Sequence, residues 1–182
     1  MPFAIARHLV LIVFCLAGSG MAQAQTSRGS GLENLSTQSA QQLQTGIEKK
    51  HPAAYYALAK KLFEQGEKDE AVFWFYAGQI RYRAYLLGHP ELPLDGDPAL
   101  FASLSEVVGR PINVHAFGDI AGLTKTIDRA LAWDATNPDP FSKEPEREKS
   151  RGGLSGMKAQ ILSTAGEIRA TRTKNGLENR TN

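Results

Sequence analysis

The sequence predicts an all-α protein of about six helices, a compact bundle built around one helical hairpin. Three observations lead there. Between residues 35 and 170 apolar side chains recur at three- and four-residue spacing. Glycine and proline interrupt that pattern about once per helix length, and acids follow several of the interruptions. No two segments alternate apolar and polar residues across a tight turn, so no strand pair is expected.

The elements follow in order. Leu35, Leu43 and Ile47 predict a first helix over 36–49, which His51-Pro52 breaks because a residue before proline avoids helical geometry. Pro52 suits the first turn of the next helix, 52–65, with Tyr55, Leu58, Ala59 and Leu62 on one face. Gly66 is its expected left-handed terminator, and Glu67, Asp69 and Glu70 then place negative charge where a new helix begins. That helix, 71–87, is apolar on nearly every side, as a helix enclosed by several neighbours should be. Its aromatic run 73–76 alone would suit a strand; length and the acidic start favour helix.

Three prolines make 89–98 a loop. Asp97-Pro98 opens a helix to about Val108, Gly109 stops it, and 110–113 is expected extended or turned. Gly118-Asp119 opens a helix on Ile120, Leu123, Ile127, Ala130 and Leu131, ended by Asn137-Pro138. Asp128, Arg129 and Asp134 are read as its solvated face. The segment 138–152, with prolines and alternating charge, is expected as an exposed linker. A final amphipathic helix, 153–172, rests on Leu154, Met157, Ile161, Ala165 and Ile168, and the polar tail 173–182 is expected to fray.

The N terminus reads as a cleavable export signal, 1–24. Arg7 is followed by the apolar run 9–16, then small residues and Ala22-Gln23-Ala24. The run is too short to span a membrane, which needs about 20 residues. Cys15, the only cysteine among 182 residues, falls inside it, behind Phe14 rather than a small residue, so lipidation is not expected. A small polar lead, 25–34, follows. The expected setting is therefore bacterial and periplasmic or secreted, with no disulfide and no stable membrane anchor after cleavage. The formal charge of +2 gives no reason to expect a nucleic-acid partner.

One resemblance stands out. Ala54, Tyr56, Leu58, Ala59 and Leu62, the turn at Gly66, and Ala71-x-x-Trp74-Phe75 resemble a tetratricopeptide-type unit over 52–78, closest to the Sel-like subclass. Small Ala59 and Ala71 would let two antiparallel helices approach, and the hairpin as a whole would run over 52–87. No second copy is found, whereas a solenoid needs about three repeats. The resemblance implies a protein-binding surface, in the manner of exported scaffold or immunity factors.

Catalytic patterns are scarce. His51, His89 and His115 follow no metal-binding spacing, and neither a nucleophile elbow nor a phosphate loop is present, so no metal and no cofactor is expected. Asn113, His115 and Asp119 form the alternative site, an envelope enzyme's acid/base cluster in a loop; the structural reading has Asp119 capping a helix and the other two satisfying backbone. Tyr55, Trp74, Arg81 and Arg83 are the candidate partner-binding residues, the two arginines gripping an acidic partner or carboxylate. They would otherwise reach the surface or pair with acids of a neighbouring helix. A non-enzymatic protein-interaction role leads, with another protein as partner. The alternatives are the enzyme and a small-ligand carrier using an apolar void beside Trp74 and Tyr76.

Overall fold

The computed structural model describes residues 34–180, and every element among them is helical. The export signal and nearly all of the polar lead lie outside the described residues. The elements are α1 (Ala40–Gln44), a 3-10 turn (Ile47–Lys49), α2 (Ala53–Glu64), α3 (Lys68–Gly88) and α4 (Asp97–Val107). They continue with α5 (Gly109–Ala116), α6 (Ile120–Thr136), α7 (Glu144–Ser163) and α8 (Ala165–Lys174).

α3 is the axis, with α2, α5, α6 and α7 packed around it. Residues 71–78 are all buried, which is why this helix shows no polar stripe. The α2–α3 hairpin is close. Ala59 and Ala71 are fully buried, and a Cβ added at Gly78 would lie 2.8 Å from Cβ of Tyr55. Gly66, at φ +88°, closes α2: its N–H donates to Phe63 O and the N–H of Glu67 to Leu62 O.

Several expectations change. The segment 110–113 is helical, not turned, because Pro111 sits in the first turn of α5, where its missing N–H costs nothing. α5 can start against α3 because Gly109 has no side chain; a Cβ there would meet Phe75 Cζ at 2.6 Å. The linker 138–152 shrinks to a short connection, since α7 begins at Glu144 with a proline and two acids in its first turn. The helix expected over 153–172 is two helices, divided at Thr164, whose hydroxyl donates to Gln160 O at 2.8 Å. The first predicted helix, 36–49, is likewise broken, with Ser39 and Gln42 closing a capping box on α1 and Gly46 (φ +61°) leading into the 3-10 turn.

The tail is docked rather than frayed as far as Arg180. Leu177 N donates to Arg172 O at 2.9 Å and Arg180 N to Gly118 O at 2.7 Å.

Candidate functional site

The four candidate partner-binding residues separate. Tyr55 and Trp74 are core: both rings pack edge-on or tilted against Trp133 of α6, with centroids 6.0 and 5.4 Å away. Arg81 is 1% exposed and belongs to an internal ionic cluster. Its Nε lies 2.7 Å from Oδ1 of fully buried Asp134, it also pairs with Asp139 and the carbonyl of Asn137, and its guanidinium stacks on Trp133. Arg151 of α7 reaches the other Asp134 oxygen at 2.8 Å. Asp134 is thus no solvated residue. It sits one turn beyond Ala130, on the apolar face of α6, and its charge is compensated from two helices. Burial pushes its carboxyl above the usual range, and Arg81 and Arg151 oppose that shift. Only Arg83 of the four is exposed.

Of the alternative site, Asn113 and His115 lie on helix α5 rather than in a loop, and Asp119 lies at the start of α6. Asp119 caps α6, accepting from Gly122 N at 2.9 Å. Asn113 accepts from the buried Tyr76 hydroxyl at 3.0 Å, tying α5 to α3. His115 has other partners: its Nε2 lies 3.0 Å from Asp69 Oδ1 and 3.0 Å from an Arg180 nitrogen, and its carbonyl accepts from Arg180 at 2.9 Å. Asn113 and His115 tie elements together and Asp119 caps α6; Asp119 lines a small cleft of about 230 Å³ together with His115's partners Asp69 and Arg180. Among the described residues no three histidines, cysteines or acids sit close enough to hold a metal ion, and no helix is long and apolar enough to cross a membrane.

A groove gathers Arg83 with Asn113 of the alternative site, Tyr76 of the expected void and several residues that the sequence did not single out. It runs between α3 and α4 on one side and α7 on the other, with a volume of about 770 Å³. Phe75, Tyr76, Phe101, Phe117, Leu154 and Met157 give it an aromatic and aliphatic lining. Its walls are cross-tied: Gln79 Nε2 donates to Ser105 Oγ at 3.2 Å, and Ser150 Oγ to Ile80 O at 2.9 Å. Arg83 stands at the groove with its guanidinium over Phe101, 5.3 Å from the ring centre, and its Nε donating to Gln79. Lys149 lines the α7 side. A second cleft of about 650 Å³, bounded by α5 and α8, shares Ser105, Asn113 and Phe117 with it. The void expected beside Trp74 and Tyr76 is found only at Tyr76; Trp74 is enclosed by Tyr55, Phe73 and Trp133. Lys149 is hidden in the sequence because it falls in the segment expected as a linker, whereas Met157 already stands on the apolar face expected of the final helix.

Comparison with known proteins adds one relative. No protein-family model matches the chain. An uncharacterized protein of Haemophilus influenzae is 30% identical over 89 residues, which is 48% of this chain and 34% of that protein. The chain thus matches about a third of the length of its curated relative. No solved structure matches it.

Proposed function

We propose that this chain is an exported, non-enzymatic protein-interaction protein of scaffold or immunity type, and that the α3–α7 groove is where it receives its partner. The single observation that carries the reading is the groove itself: an apolar floor of about 770 Å³ with Arg83 and Lys149 among its lining residues. Exposed apolar surface joined to a groove is characteristic of recognition sites, and Leu87 at its mouth is 41% exposed. The separate engagement of Asn113, His115 and Asp119 weighs against the enzyme reading. The Sel-like pattern over 52–78 supports the same functional class, and the N-terminal pattern supports work outside the cytoplasm.

A small-ligand carrier is the second reading, because the groove volume also falls in the range of small-molecule sites. One experiment separates them. A photo-crosslinking residue at position 87 of the full chain, irradiated in the living host, should give one defined protein adduct. No protein adduct, with a small molecule co-purifying in equal amount, would replace the interaction reading with the carrier.

A further inference from the structure

We infer that the groove holds a helical partner segment whose acidic side chain is received by Arg83 and Lys149; this rests on the interaction reading above. Charge comes first. The groove lining includes these two cations and no carboxylate. Arg83 is fixed by its Nε bond to Gln79 and its stacking on Phe101, and it has no ion-pair partner among the described residues; Lys149 has none either. Of the acids nearby, Glu106 of the adjoining cleft lies 3.2 Å from Arg110 and Glu144 pairs with Arg147 and Arg151, while Glu146 turns toward Gly88 outside the groove lining and pairs with neither cation. Two cations held beside an apolar floor, with no acid of their own, match a carboxylate attached to apolar residues.

The secondary structure of the occupant follows from the walls. The groove is lined by helices apart from Phe117 in the turn after α5, and no strand edge exists among the described residues to pair with an extended chain. A segment lying there must satisfy its own backbone, which a helix does. α7 makes room for it. A Cβ added at Gly152, Gly153 or Gly156 would meet nothing within 4 Å, so the packing of this chain gives no reason for glycine at any of them. Gly153 itself lines the groove. Bare backbone at that point lets another helix approach closely.

The test is selection of peptides from a displayed library of random fifteen-residue sequences of high helix propensity, using the full chain as bait. Enriched sequences should carry apolar residues at i, i+3 or i+4, and i+7 with Asp or Glu beside them. Their affinity should fall at least about tenfold for the Arg83→Glu/Lys149→Glu double variant, and a peptide with its acid changed to Lys should regain binding to that variant. Both substituted residues are exposed, so the variant is expected to fold, which a thermal melt verifies. Enrichment of basic peptides, binding indifferent to the double variant, or no enrichment at all would overturn the inference. The crosslinking experiment at position 87 decides the broader reading independently, since a protein adduct there stands whatever the peptides show.

Discussion

Asp119 and Asp134 lie fifteen positions apart at opposite ends of α6, and their environments assign them different work. Asp119 caps the start of the helix by accepting from Gly122 N, and a Cβ added at Gly122 would lie 2.4 Å from Oδ2, so a side chain there would make the carboxylate shift. Asp119→Ala should cost about 1 kcal/mol and Asp119→Asn much less, because Asn caps as well as Asp. Urea titration of both variants measures the difference. Equal losses would point to a need for the charge rather than the cap. Asp134 has more at stake. Asp134→Ala leaves Arg81 and Arg151 inside with one acid fewer, and a loss of about 3 kcal/mol is expected. The apolar pair Arg81→Met/Asp134→Leu should recover only part of it, because buried Asp139 then loses its arginine and keeps only the donors of Phe141 and Ser142. The sequence made the cap legible, because a cap is local. It offers pairing with acids of a neighbouring helix as one reading of Arg81 but not which acids, because Arg81 and Asp134 meet only after folding and Asp134 reads as part of a solvated face.

α7 shows the same contrast for a whole element. Its prolines and charges looked like a connection, yet Glu144, Pro145 and Glu146 are also what a helix start requires. Propensity could not decide between the two. The decision comes from α3 and α6, against which Leu154 and Ile161 are buried and to which Ser150 and Arg151 bond. The helix nevertheless carries glycines at 152, 153 and 156 that no intramolecular contact explains. Gly152→Ala and Gly156→Ala should each raise folding stability by about 0.5–1 kcal/mol, read from thermal melts. Gly153→Ala should stabilise similarly while weakening binding of groove-selected peptides. If Gly153→Ala leaves peptide affinity unchanged, the segment does not approach α7 closely. The α2–α3 hairpin was better marked, since left-handed Gly66 and buried Ala59 and Ala71 are signals that a short window contains.

The molecule as a whole is organised about α3, and its tyrosines report on that core. Burial raises Tyr55, Tyr56 and Tyr76, and in Tyr82 the raising effect of burial is joined by the hydrogen bond to Asp97. A phenol held above its ordinary value in the folded state contributes fully below the unfolded value of about 10 and loses that contribution as pH rises beyond it. The protein should therefore lose stability steeply above pH of about 10, with four of its five tyrosines ionising only as it unfolds. Absorbance at the tyrosinate band and far-ultraviolet circular dichroism should change together; tyrosinate appearing ahead of helix loss would show a looser core. All-helical architecture was legible at this scale because periodicity repeats over the whole chain. The groove was not, because its walls come from α3, α4 and α7, whose residues meet only in the packed structure. The same distances in sequence govern how the chain matures. Arg81 meets Asp139 from 58 positions away, and Ser150 closes on Ile80 from 70. At a synthesis rate of about 5–20 residues per second, the central helix emerges several seconds before its counter-charges, too early to bury its arginine at equilibrium. Burial of Arg81 must then wait until most of the chain has been made.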